Sequence, residues 1–129
     1  MGLSASNTLD LIHQLEDGFS FKALQAFASN SGISVSVITA IVGIPERTLA
    51  RRKAATKLST DESERLLRLS TVFEKATELF EGDTVAAVRW LTTPKKALGN
   101  FSPLIYCRTE LGAREVENLI GRLEHGVFS

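Results

Sequence analysis

Apolar residues recur every three or four positions along much of this chain, and polar residues that can cap a helix precede them. The clearest case follows Ser59, where Leu66, Leu69 and Phe73 share this spacing. Such spacing places the three side chains on one face of an α-helix. Ser59 and Glu62 also have the Ser-x-x-Glu spacing of a capping box, in which each side chain satisfies a free backbone N–H of the other. This segment is predicted to be an amphipathic helix.

The same helical pattern appears in several other segments, each with a candidate cap at its start and a glycine or proline near its end. Candidate caps or first-turn residues are Thr8, Ser20, Ser34 or Ser36, Pro45, Asp83 or Thr84, Ser102 and Thr109. In the last segment the apolar positions are Leu111, Val116, Leu119, Ile120 and Leu123. The alternating stretch ISVSVI is brief and lacks a hairpin partner. The predicted fold class is therefore all-α.

Length and composition set the scale of the protein. The chain has 129 residues, of which 43% are hydrophobic, which is typical of one or two small globular domains. We predict an N-terminal region over residues 1–58 and a C-terminal region over residues 59–129. No apolar run is long enough to cross a bilayer, and the single cysteine, Cys107, excludes an intrachain disulfide. These features predict a cytoplasmic protein with no membrane partner.

Positive charge is concentrated in one part of an otherwise neutral chain. The whole sequence has 15 basic and 15 acidic residues. Residues 35–58 contain five basic residues and one acidic residue, a local net charge of +4. The five are Arg47, Arg51, Arg52, Lys53 and Lys57.

This basic segment overlaps the pattern of a helix-turn-helix over about residues 34–54. Ile38 and Val42 can be buried on the first helix, Gly43 can form the turn, and Ile44 can fill the angle between the helices. The second helix would then present Pro45, Glu46, Arg47, Thr48, Ala50 and Arg51 to base edges in a major groove. The flanking Arg52, Lys53 and Lys57 would hold phosphates.

A solvated basic face on a helical bundle explains the same charge without DNA. We favour DNA binding because the apolar positions and the glycine turn match the motif as well. One monomer has few basic groups for tight binding at physiological salt, since affinity depends steeply on the number of phosphates neutralised. We therefore expect specific binding by a dimer on a two-part site.

Catalytic and cofactor motifs are missing from the sequence. His13 and His125 are far from Cys107 along the chain and lack the spacing of a metal site. No Gly-x-Ser-x-Gly motif and no glycine-rich phosphate loop occurs. We predict a protein that is not an enzyme and that uses no cofactor and no metal.

An ordered series of landmarks in the C-terminal half resembles a known family. They are Trp90-Leu91, Pro94, Ala97-Leu98-Gly99, Pro103-Leu104, Thr109, Gly112-Ala113, Val116, Leu119 and Glu124-His125-Gly126-Val127. Together with the stretch IPERTLARRK upstream, they are similar to the Xre/MbcA/ParS antitoxins over roughly residues 30–129.

The resemblance implies an antitoxin of a two-gene toxin–antitoxin module, whose partner is a RES-domain toxin that consumes NAD⁺. It also implies a homodimer that binds operator DNA through its helix-turn-helix and represses its own operon. The C-terminal end would cover the toxin's active site. The residues predicted to contact the toxin are Arg122, Glu124, His125, Gly126, Val127, Phe128 and Ser129.

Two alternatives stay open at this level. The apolar pair Val127 and Phe128 can fold back onto the core instead of docking into a partner. The chain can also be a stand-alone helix-turn-helix regulator whose C-terminal half only dimerises or senses a ligand. A RES-type toxin encoded by the neighbouring gene would favour the antitoxin.

Overall fold

The computed structural model describes residues 7–126, and the regular elements of this range are helical. The all-α prediction is confirmed. None of these helices combines the length and apolar character that a membrane crossing requires. The helices are α1 (Thr8–Asp17), α2 (Phe21–Ser31), α3 (Val35–Val42), α4 (Glu46–Ala55), α5 (Thr60–Leu79), α6 (Thr84–Thr92), a 3₁₀ turn (Lys96–Leu98), α7 (Pro103–Tyr106) and α8 (Glu110–Glu124).

Most helix starts are where the capping residues predict them. Side chains accept hydrogen bonds from the first turn at Ser20, Ser34, Asp83, Ser102 and Thr109. The prediction of Thr8 as a cap is wrong, because the Asn7 side chain accepts the Asp10 N–H at 2.9 Å and Thr8 is already helical. Asn is among the best N-cap residues, so it takes this position from the threonine that follows it.

The chain divides into two compact units, of which one ends at Ser70 and the other begins at Thr71. The division falls inside α5, so this helix contributes residues to both units. The two regions predicted from the sequence meet between residues 58 and 59, which is twelve residues before the division in the structure.

The N-terminal unit is built on buried aromatic and aliphatic side chains. Those with no or almost no exposure include Leu24, Phe27, Ile38, Val42, Leu66 and Leu69. Burying a side chain of this size stabilises the folded state by roughly 1.5–3 kcal/mol. Buried Ser63 adds a polar connection, because its Oγ accepts the Phe19 N–H and donates to the Ser59 carbonyl, both at 2.8 Å.

The C-terminal unit has its own buried side chains, among them Val72, Ala87, Leu91, Cys107, Val116 and Ile120. Cys107 is a free cysteine buried in this core. Leu111 does not belong to this set: it is 69% exposed, although its spacing placed it on the apolar face of α8. It lies in the first turn of the helix, one residue before Gly112, which faces the preceding turn. Periodicity finds the buried face but does not show where neighbouring segments stop covering it.

Candidate functional site

The turn between α3 and α4 has the geometry expected of a helix-turn-helix. Gly43 has a φ of +85°, a left-handed conformation that glycine adopts without steric cost. The N–H groups of Gly43 and Ile44 both donate to the Thr39 carbonyl at 2.9 Å. Ile44 is buried, which confirms its predicted place between the helices. Pro45 then precedes the first residue of α4.

Two arginines tie the helix-turn-helix to α5. Arg65 donates from a guanidinium nitrogen to the Val42 carbonyl at 3.2 Å, at the C-terminal end of α3. Arg52 on α4 donates from Nε to Glu62 Oε1 at 2.8 Å. The predicted capping box is confirmed at the same place, since Glu62 Oε1 accepts the Ser59 N–H at 2.9 Å and Ser59 Oγ accepts the Glu62 N–H at 3.1 Å.

The Glu62 carboxylate is buried and stays charged because of its partners. Burial alone would raise its pKa, but the hydrogen bond from the Ser59 N–H, the hydrogen bond from Arg52 and the Arg52 charge outweigh burial, so the net pKa is below the ordinary value. The sequence did not indicate this pair, since the two residues are ten positions apart on different helices. Their reciprocal contact explains why Arg52 is half-buried on a helix that has no buried residue.

The remaining basic residues of this segment fall into two groups. Lys53 Nζ lies 5.9 Å from the centroid of the Phe21 ring, and Lys57 forms an exposed ion pair with Asp17. Surface pairs of this kind contribute about 0–1 kcal/mol. Arg47 and Arg51 are one turn apart on the exposed face of α4. Within the described part of the chain, neither has a side-chain hydrogen bond or ion pair.

The other residues predicted for DNA contact lie next to Arg47 and Arg51 at the start of α4. Pro45, Glu46 and Ala50 are exposed, and Thr48 is half-buried. The Thr48 hydroxyl donates to the Pro45 carbonyl at 2.9 Å, so its proton is already used inside the first turn. The structure thus presents a short exposed face at the start of α4 with two arginines at its centre.

The second predicted site is the C-terminal end of α8. Arg122, Glu124 and His125 are exposed there, and the His125 N–H closes the helix by donating to the Gly121 carbonyl at 3.1 Å. Gly126 follows with a φ of +66°, as expected for a residue that ends a helix. Val127, Phe128 and Ser129 lie outside the described residues.

Two glycines within α8 differ in their surroundings. A Cβ at Gly112 would overlap the Tyr106 carbonyl oxygen, so only glycine permits this close packing. A Cβ at Gly121 would meet no atom of the described structure within 4 Å. Gly121 therefore leaves a shallow depression on the outer side of α8, beside Arg122 and His125, which intrachain packing does not use.

No cluster of three or more possible metal ligands is found among residues 7–126.

The Lys95 ammonium lies 4.9 Å from the centroid of the Trp90 ring, and burial lowers the Lys95 pKa. Trp90 is half-buried, so it serves partly as a core aromatic and partly as a platform for this cation.

Comparison with known proteins assigns both parts of the chain. The model of the antitoxin Xre-like helix-turn-helix domain matches residues 10–70, and that of the antitoxin Xre/MbcA/ParS C-terminal toxin-binding domain matches residues 75–126. The chain is 42% identical to Antitoxin Xre of Yersinia enterocolitica and 35% identical to Antitoxin Xre of Photorhabdus laumondii, in each case over the whole chain and 88% of the relative. It is 33% identical to Antitoxin Xre of Pseudomonas putida over 64% of this chain and 52% of that protein.

The fold and the two matched domains define a class of protein that joins a helix-turn-helix to a toxin-binding domain. The chain belongs to the Xre antitoxin family.

Proposed function

We propose that this protein is an antitoxin that binds and neutralises a cognate RES-domain toxin and represses its own operon. The observation that carries the proposal is the succession of a helix-turn-helix domain and a toxin-binding domain along a single chain. The assignment of a RES-type, NAD⁺-consuming partner rests on the family resemblance. Both activities belong in the cytoplasm, where the operator DNA and the NAD⁺ pool are found.

The proposed DNA contact is the exposed start of α4. Arg47 and Arg51 would bind guanine edges or phosphates, because a guanidinium has paired donors that match both. Pro45, Glu46, Thr48 and Ala50 would line the same groove, with Lys53 nearer the backbone. Arg52 would support the helix through Glu62 in addition to any phosphate contact. Two copies bound to a two-part site would double the number of neutralised phosphates.

The proposed toxin contact is the C-terminal end of α8 with the residues that follow. Arg122, Glu124 and His125 present charged and polar groups of both signs beside Gly121, where a Cβ would meet no atom within 4 Å. Val127, Phe128 and Ser129 would extend this surface into the toxin. A polar surface next to apolar residues has the composition of a protein–protein contact.

Co-expression with the RES-domain product of the adjacent gene tests the proposal. We expect the two proteins to purify together, cell growth to recover and the cellular NAD⁺ level to be preserved. A gel-shift with the DNA upstream of the operon should show a discrete complex that weakens as salt rises. DNA binding without any toxin contact would instead identify a stand-alone regulator, and the antitoxin proposal would fail.

A further inference from the structure

An open groove on the C-terminal unit is not used by either contact proposed above. Phe101, Ile105 and Leu111 line it, and its volume is about 710 Å³. Four large apolar side chains are exposed in the described part of this unit. Three of them are these groove residues, and the fourth is Val85. Single exposed apolar residues are ordinary, whereas several around one concavity indicate a binding surface.

The backbone around the groove holds it in shape. On one side the Lys95 N–H donates to the Phe101 carbonyl at 3.1 Å, and the Asn100 N–H donates to the Lys95 carbonyl at 2.9 Å. On the other side Gly112 lies directly against the Tyr106 carbonyl. The Phe101 and Tyr106 rings also contact each other, with centroids 6.3 Å apart. A surface that already has its bound shape loses little conformational entropy when a partner docks.

The charges at the groove favour a protein as its ligand. Arg108 and Glu115 line it together with the apolar residues, so the two signs are balanced. Nucleic acids select surfaces with a clear positive excess. An apolar centre with a mixed polar rim is instead the usual anatomy of a protein–protein interface.

We propose that the groove formed by Phe101, Ile105 and Leu111 docks an apolar segment of the cognate toxin, as a second contact besides the C-terminal end of α8. The inference rests on the proposed function, since the toxin is taken as the partner. Its location supports this partner: the residues that line the groove all lie within the range 75–126 matched by the toxin-binding domain. The interface would then use both ends of α8.

The test compares substitutions at two equally exposed apolar residues. Leu111 in the groove and Val85 outside it are both 69% exposed, so Leu111→Gln and Val85→Gln remove similar apolar surface. The full-length protein is titrated with the purified RES-domain product of the adjacent gene, using calorimetry. We expect Leu111→Gln, and more strongly Leu111→Gln with Phe101→Ser, to raise the Kd at least about tenfold. Val85→Gln should change it less than about twofold.

Thermal unfolding and operator binding of the same variants serve as controls for folding. If the double variant loses stability, Leu111→Gln alone decides the outcome. Unchanged toxin affinity in a folded groove variant overturns the inference while the antitoxin function stands. A groove variant that loses self-association but keeps toxin affinity also overturns it, because the occupant is then a second copy. If the unmodified protein does not bind the toxin, the proposed function itself fails, and this inference fails with it.

Discussion

Arg52 on α4 and Glu62 on α5 are joined by a 2.8 Å hydrogen bond between Nε and Oε1. The same carboxylate oxygen accepts the Ser59 N–H at 2.9 Å. One buried side chain thus caps α5 and holds α4, a helix that has no buried residue of its own. The position of the proposed DNA-binding helix therefore depends strongly on this ion pair, together with the half-buried Leu49.

The lowered pKa of Glu62 predicts a loss of stability in acid. A carboxyl with a lower pKa in the folded protein binds fewer protons there than in the unfolded chain. Its stabilising effect is therefore present above the ordinary glutamate value of 4.5 and disappears as the pH falls through the folded-state pKa. We expect the free energy of unfolding, measured by urea denaturation, to fall below that pH more steeply in the parent protein than in Glu62→Gln. Glu64→Gln, at an exposed position of the same helix, should keep the parental profile.

At neutral pH Glu62→Gln should lower the free energy of unfolding by about 1–3 kcal/mol, because the Arg52 guanidinium loses its charged partner while half-buried. Chemical denaturation of the two variants at one pH measures the difference. A Glu62→Gln protein as stable as Glu64→Gln would show that the pair does not stabilise α4.

Arg51 and Arg52 are adjacent in α4 but should respond differently to substitution by alanine. Arg51→Ala removes an exposed side chain, so we expect weaker operator binding and a smaller salt dependence, with stability nearly unchanged. Arg47→Ala should behave in the same way. Arg52→Ala should lower the melting temperature, because it leaves the Glu62 carboxylate without its charged partner.

Gel-shift titrations at several salt concentrations, with melting curves for each protein, separate these effects. Lys96→Ala is the matched control, since it removes one exposed positive charge from the C-terminal unit. Equal operator affinity for Arg47→Ala, Arg51→Ala and Lys96→Ala would exclude the exposed face of α4 from DNA binding.

Alanine substitutions at the two glycines within α8 should have opposite effects on stability. Gly112→Ala forces a methyl group against the Tyr106 carbonyl, and we expect a loss of about 1–3 kcal/mol. Gly121→Ala meets open space and removes the entropic penalty of a helical glycine, so we expect a gain of up to about 1 kcal/mol. Thermal or urea unfolding measures both. Destabilisation by Gly121→Ala would mean that its surroundings are more crowded than the structure shows.

Removal of Val127, Phe128 and Ser129 should weaken toxin neutralisation and leave operator binding intact. These residues are proposed to extend the contact surface that ends α8, far in sequence from α4. Growth rescue in the co-expression assay and a gel-shift measure the two activities separately. If both activities fall together with the melting temperature, the three residues stabilise the fold instead.

Local features of the sequence were sufficient for most of the secondary structure. Ser20 and Ser34 cap their helices because a capping hydrogen bond joins residues three positions apart, so both partners are visible in a short stretch. The same holds for Ser59 and Glu62. The error at Thr8 is also local, since Asn7 satisfies the same geometry one residue earlier.

Sequence patterns could not identify contacts between residues that lie on different elements. Glu62 was recognised as part of a capping box, but its bond to Arg52 joins two helices and depends on how they pack. Leu111 has the spacing of a buried residue and is exposed, because the preceding turn covers Gly112 and not its neighbour. The groove that Leu111 forms with Phe101 and Ile105 could be recognised only after folding.

The sequence by itself determined the helical fold, the glycine turn before α4 and the succession of two functional regions. These depend on local hydrogen bonds, apolar periodicity and the order of motifs, all of which can be recognised from the order of residues in the sequence. The tertiary structure decided which of the basic residues are committed to intrachain partners and which apolar residues remain exposed. Both properties depend on the distance between groups that are remote in sequence, and packing alone sets that distance.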